Sequence, residues 1–294
     1  MTPQPYAKHS CAPQQYLQIM SAQQRWHSLS ETICDRTMHK GNKYMRRWLL
    51  LLVAVFAIGV RAEAPNVAAA ADLKFALSEI AASYEKETGQ TVKLSFGSSG
   101  NFARQIAQDA PFELFLSADE AYIQQLAAQG FLIDAGRRYA IGRIALLTPH
   151  GSKLALDGEL NDLAAAVTDG RVQRFAIANP EHAPYGRAAR AALQRVGVWD
   201  KLQGKLVLGE NVAQAAQFAT SGSAQGGIVA WALLKAPEMA KLGQGILIPE
   251  HFHPPLYQRM ALTRKAGATA RHFYDYLQES AARVVFERYG FALP

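Results

Sequence analysis

An α/β protein of two lobes is what this sequence predicts. Three observations lead there. Short apolar runs alternate with segments of helical period along nearly the whole chain beyond residue 64; the alternation restarts as a second series of units at Phe175; and no Pro/Ser-rich linker, heptad or low-complexity tract intervenes. Two such lobes without a flexible linker imply a chain that crosses between them. The irregular stretches Tyr139–Gly142 and Pro249–Tyr257 flank the middle units, so lobe 1 is expected to be discontinuous, over residues 65–140 and 256–294. Lobe 2 is expected over 141–255, crossover segments included.

The first series opens with Asn66-Val67-Ala68-Ala69-Ala70-Ala71, a short buried strand. Leu73, Leu77, Ile80, Ala81 and Tyr84 then recur at helical spacing, with Lys74, Ser78, Glu79, Glu85 and Lys86 on the opposite face and Gly89 as the stop. Val92 to Phe96 alternates as a strand, Gly97-Ser98-Ser99-Gly100 reads as a turn, and Phe102 to Gln108 as a helix. Glu113 to Leu116 is a strand, Ala121 to Gln129 a helix closed by Gly130, and Arg143 to Leu147 a strand. The second series follows the same logic: strands at Phe175–Ala178, Lys205–Val207 and Gly227–Ala230, helices at Gly186–Val196 and Val212–Thr220. A last helix is expected from Arg271 to Arg288, with Phe273, Leu277, Ala281, Val284 and Val285 on its buried face.

Composition limits the function. The chain has 294 residues, 49% hydrophobic and 19% charged, as folded proteins have. Its formal charge of +7 suggests a nucleic-acid partner, but the charge is concentrated in the first 62 residues, which hold eight of the 31 Lys and Arg and two of the 24 acids. The remainder carries 23 bases against 22 acids, so no nucleic-acid partner is expected.

The prefix reads as an export signal. Met45-Arg46-Arg47 precedes an apolar run from Trp48 to Val60, followed by Arg61-Ala62-Glu63-Ala64. Thirteen residues rise about 20 Å as a helix, short of the roughly 30 Å of a bilayer core. Residues 45–62 are therefore expected to be a signal peptide, with small-residue cleavage sites at Val60-x-Ala62 and Ala62-x-Ala64, and the mature protein is expected in the periplasm. Residues 1–44 show no sustained apolar period and are expected to be an extension either untranslated, with translation starting at Met45, or disordered. Both cysteines, Cys11 and Cys34, fall in it, which leaves the exported chain no disulfide, thiolate metal site or cysteine nucleophile.

Four helix starts follow buried strands and are rich in small or capping residues: Ala71-Asp72, Ser98-Ser99-Gly100, Pro184-Tyr185-Gly186 and Glu210-Asn211-Val212. In α/β sheets such turns gather at the carboxyl edge of the strands, where ligands bind. Each presents unpaired backbone N–H groups and about half a positive charge from the helix dipole. None of the four contains a basic side chain, although Lys74 and Arg187 stand close by. Two starts from each lobe facing across a cleft would hold an oxyanion with neutral dipoles alone.

These residues resemble the periplasmic molybdate-binding proteins of ABC importers. The resemblance runs from about Val67 to Phe291, and its most specific pieces are Ala178-Asn179-Pro180-Glu181-His182-Ala183-Pro184-Tyr185-Gly186 and Gly209-Glu210-Asn211-Val212-Ala213-Gln214-Ala215. Ala103-Arg104-Gln105-Ile106, Phe115-Leu116-Ser117-Ala118-Asp119, Gly227-Ile228-Val229 and Arg288-Tyr289-Gly290-Phe291 support it. It implies the two-lobed periplasmic binding protein fold (type II), each lobe a sheet flanked by helices with the cleft between them. It also implies anion contacts at Ala71, Asp72 and Ser99 from lobe 1 and at Tyr185 and Val212 from lobe 2. Val212 would act through its backbone N–H, Ser99 through hydroxyl and N–H, and Tyr185 through its phenol. Some relatives supply a tyrosine after Gly-Ile-Val, where this chain has Ala230.

Asp72 departs from the family pattern, which commonly has a neutral Ser or Asn there. A carboxylate aimed at a dianion in a poorly solvated cleft is strongly repelled. Three readings stand open: Asp72 turned back as an N-cap on its own helix; Asp72 protonated or partnered by Lys74; or Asp72 accepting a hydrogen bond from a protonated ligand such as hydrogen phosphate.

No catalytic residue is expected. Gly97-Ser98-Ser99-Gly100 lacks the spacing of a nucleophile elbow, and no Gly-Lys-Ser/Thr phosphate loop occurs. Glu250-His251-Phe252-His253 gathers metal-ligand types, but Pro254-Pro255 beside it suits a hinge, so no metal centre is expected. The expected function is a monomeric, cofactor-free receptor for molybdate and tungstate that serves an inner-membrane permease and a cytoplasmic ATPase. The alternatives are a receptor for phosphate or sulfate, or an effector-sensing module of a regulator.

Overall fold

The computed structural model describes residues 63–294, which belong to one compact unit. The expected signal peptide and upstream extension, with both cysteines, lie outside the described residues. Two five-stranded mixed sheets organise the chain.

The first sheet has the order β2-β1-β3-β10-β4. Its strands are β1 (Asn66–Ala70), β2 (Lys93–Gly97), β3 (Leu114–Ser117), β4 (Arg137–Gly142) and β10 (Leu256–Leu262). β1 lies parallel to β2 and β3, while β10 runs antiparallel between β3 and β4. β1 is apolar at successive positions because both faces are covered. Val67 and Ala69 pack with Leu73, Leu77, Ile80 and Tyr84, whereas Ala68 faces Phe102, Ile106 and Phe115. The covering helices are α1 (Lys74–Thr88), α2 (Ser99–Ala107) and α3 (Glu120–Ala128). α1 ends at Gly89, whose left-handed φ of 69° closes the last turn onto the Glu85 carbonyl.

The second sheet repeats the plan in the order β7-β6-β8-β5-β9. It holds β5 (Ile144–Pro149), β6 (Phe175–Ala178), β7 (Leu206–Gly209), β8 (Gly227–Ala230) and β9 (Gly243–Leu247). Helices α4 (Asn161–Asp169), α5 (Pro184–Arg195) and α6 (Val212–Thr220) are followed by the short α7 (Trp231–Leu234) and α8 (Pro237–Ala240). The parallel registers pair Ala70 with Gly97 and Ala178 with Gly209, so in each sheet the strand ends that feed the helices stand level at one edge.

Three expectations change. Tyr139–Gly142, read as an irregular crossing, completes β4: Gly142 pairs with Leu256 and Ile141 with Tyr257. Tyr257 likewise belongs to β10. The partner strand lies over a hundred residues away, so local alternation could not announce the ladder. The chain passes between sheets at Arg143, whose Nε donates to the Gly290 carbonyl at 2.9 Å. The single terminal helix is two, α9 (Ala268–Tyr276) and α10 (Ser280–Arg288), parted by turn hydrogen bonds from Gln278 and Glu279 to Asp275 and Tyr276. The break shifts the helical phase, so Ala282 and Phe286 are buried while Val284 is 59% exposed.

Candidate functional site

The four helix starts converge. Ala70, Ala71, Asp72, Ser98, Ser99, Pro184, Tyr185, Asn211 and Val212 line one cavity between the sheets.

Local sequence explains each wall. Ser98 caps α2, its Oγ accepting the Asn101 amide at 3.3 Å. Asn211 caps α6 by accepting the Ala213 and Gln214 amides at 3.0 Å. Those caps satisfy later amides and leave the first, at Ser99 and Val212, for a guest. Ser99 is fully buried; its Oγ accepts the Ala118 amide at 3.0 Å, so its hydroxyl proton is free to donate. Val212 is 3% exposed and presents an amide without a polar side chain. Pro184 opens α5 at a position where a missing N–H costs nothing and delivers Tyr185 to the cleft.

Asp72 behaves differently from its neighbours. It lies in a single 3-10 turn, Ala71–Leu73, and its side chain caps nothing. Lys74 is exposed and makes no bond to it. Instead Oδ2 accepts the Tyr185 hydroxyl at 2.9 Å and the Gln258 amide at 2.6 Å. Lys74 is therefore not its partner, while from its own turn the backbone amides of Asp72 and Leu73 act on the carboxyl. Oδ1 is buried without a hydrogen-bond partner. Burial pushes the carboxyl up to about 6, against smaller opposing pulls from Gln258, Tyr185 and the backbone amides of Asp72 and Leu73. Tyr185, expected to turn its phenol to the ligand, directs its proton to Asp72, the strongest acceptor within reach.

Gln258 and Tyr139 are site residues that the sequence reading missed. Gln258 is fully buried on β10 and bridges Asp72 to Tyr139, whose hydroxyl donates to Gln258 Oε1 at 2.7 Å. The available signal was a polar residue at an inward position of an otherwise apolar strand, Leu256-x-Gln258-x-Met260. Gly142 makes room: a Cβ there would stand 2.3 Å from the Tyr185 hydroxyl and 2.7 Å from Gln258 Nε2.

The rim of the cavity is closed by bonds between the sheets' flanking elements. The Gly100 amide donates to the His182 carbonyl at 3.0 Å, and a Cβ on Gly100 would approach that carbonyl to 2.6 Å. Ser98 Oγ meets His182 Nδ1 at 2.9 Å, Asn101 donates to Glu210 at 3.3 Å, and Arg187 reaches Tyr122 at 3.0 Å as well as Asp119. Among the described residues no group of three or more His, Cys, Asp or Glu could hold a metal ion. His253 turns its Nδ1 to the Pro254 carbonyl beside the inter-sheet crossing. No described helix is long and apolar enough to cross a membrane.

Paired mixed sheets that close helix N-termini on one buried cavity define a two-lobed substrate-binding protein. The chain belongs to the family of bacterial extracellular solute-binding proteins, which it matches over residues 65–292. The molybdate-binding protein ModA of Rhodobacter capsulatus is 32% identical to it over 252 residues, 84% of this chain and 96% of that protein. ModA of Azotobacter vinelandii is 33% identical over 242 residues, 81% of this chain and 94% of that protein. The solved periplasmic molybdate-binding protein of A. vinelandii superposes with a TM-score of 0.71 at 30% identity, covering 78% of this chain and 99% of that one. The sulfate-binding protein SubI of Mycobacterium tuberculosis shares the fold at 18% identity, with a TM-score of 0.63 over 78% of this chain and 86% of that one. The expected two-lobed fold and family resemblance are thus borne out.

Proposed function

We propose that the protein is the periplasmic receptor of an ABC importer, capturing one molybdate or tungstate ion between its lobes and delivering it to an inner-membrane permease driven by a cytoplasmic ATPase. The observation that carries this reading is the meeting of four helix starts, none with a basic side chain, on one cavity between the sheets. The names of the relatives support the ligand. Ser99 and Val212 supply donors from opposite lobes, so the full donor shell exists only when the lobes are closed. The ligand favours the closed form by that difference in contacts. No bond is made or broken; the protein acts as a monomeric receptor by selective burial, without a cofactor.

The test is a thermal-shift series with molybdate, tungstate, sulfate and phosphate. Ligand at about a hundred times its dissociation constant adds roughly 2.7 kcal/mol, a rise of several degrees for a protein of this size. A rise with molybdate and tungstate is the expected outcome. A rise with none of the four anions overturns the reading. Phosphate forms a second reading, favoured specifically by the unpartnered oxygen of Asp72, which can accept a ligand O–H.

A further inference from the structure

One residue lining the cavity has the wrong sign for its company. The walls present hydroxyl and amide donors, yet Asp72 Oδ1 is an acceptor, fully buried and without a partner. A buried acceptor left unpaired is costly, and an anion set against it is costlier. One hydrogen between them removes both costs.

We propose that the oxyanion is bound together with one proton, held between Asp72 Oδ1 and a ligand oxygen, so that Asp72 is a specificity-determining residue and uptake is proton-linked. This rests on the oxyanion-receptor reading above. A dianion such as molybdate draws the proton from solvent onto Asp72, and hydrogen phosphate brings its own. In either case one O–H bond is present in the complex and no electrons are transferred.

Apart from the neutral backbone amides of Asp72 and Leu73, the surroundings offer the carboxylate neutral donors and no cation. From α5 it meets Tyr185, and from β10 the neutral Gln258, which is itself held by Tyr139 of β4. Both phenols are pushed up, burial first, and stay protonated, so they donate a proton without supplying a positive charge. The helices α6 and α7, which pack on the same turn, carry no titratable side chain. On α1, Lys74 is exposed; on β2, Lys93 pairs with Glu63. Arg187 of α5 pairs with Asp119, and Arg259 of β10 with Glu120. Proton gain at Asp72 also reorganises its neighbour. A neutral carboxyl releases its claim on the Tyr185 hydroxyl proton, which can then turn to the ligand. The carboxyl is already raised to about 6 by burial, and a dianion set against it raises it further, so that the complex holds the proton.

Titration calorimetry with molybdate, near pH 8 in two buffers of different protonation enthalpy, counts the protons directly. The expected result is about one proton taken up per molybdate, with Kd rising about tenfold for each pH unit above neutrality. Asp72→Asn is expected to take up none, to bind with a flat pH profile, and to bind more tightly than the parent near pH 8. A phosphate preference in the parent that Asp72→Asn reverses supports the same contact with the ligand as proton source. Molybdate binding by the parent without proton uptake overturns the proton link and leaves the receptor reading standing. Binding of no oxyanion by either protein at any pH overturns both. Because the proton count is taken on the parent, a variant that fails to fold does not spoil the test.

Discussion

The two walls of the cavity begin from similar materials and end with opposite electrostatics. On the Ser99–Val212 wall, side-chain caps at Ser98 and Asn211 absorb amides of the second and third helical residues and leave that of the first on the cavity side. On the Asp72 wall the turn has no side-chain cap, and its one carboxylate gathers donors from Tyr185 and Gln258. A strand end followed by a helix start thus does not by itself make an anion site; where the first polar side chain points decides the sign. The donor wall is built from local sequence, the acid wall from three segments far apart in the chain.

The largest expected difference between the walls is in stability against pH. Asp72 ionises near 3.8 when unfolded and at about 6 when folded. Between those values the unfolded chain has released its proton and the folded chain has not, so stability falls as pH rises through this window and stays lost above it. The loss is about 3 kcal/mol. Asp72→Asn lacks it, so the advantage of the variant over the parent, read by urea unfolding, should grow by about that amount between about pH 4 and about pH 8. A constant difference would show that Asp72 carries no penalty on ionising.

The donor wall is tested by Val212→Pro. Proline fits the first helical position, and the preceding Asn211 is already extended at φ −150° and ψ 173°, so α6 should persist while one amide donor disappears. A hydrogen bond to a charged group contributes roughly 1.5–3 kcal/mol, which predicts about tenfold to a hundredfold weaker molybdate binding by calorimetry with little change in melting temperature. The rim should matter least. Glu210 has a side chain 68% exposed, so Glu210→Gln is expected to move affinity by less than about 1 kcal/mol, within a fewfold change of Kd.

Much of the candidate site was legible early. Ser98, Ser99, Pro184, Tyr185, Asn211 and Val212 each sit where a buried strand gives way to a helix, and capping preferences act over three or four residues. Gln258 and Tyr139 were not legible, because their meaning depends on β10 inserting between β3 and β4, a pairing of segments far apart in sequence. The direction of Asp72 was hidden for the same reason: the acceptor's partners come from α5 and β10, not from its own helix.

The sequence by itself determined the alternation of strands and helices, the family resemblance, and the positions of the helix starts that line the cavity. Short-range periodicity and capping are enough for those. Only the tertiary structure decided that β4 and β10 close the first sheet, that the terminal helix breaks, and that Tyr185 gives its proton to Asp72. Each of those depends on long-range pairing, and on burial that removes the water which would otherwise satisfy a lone carboxylate.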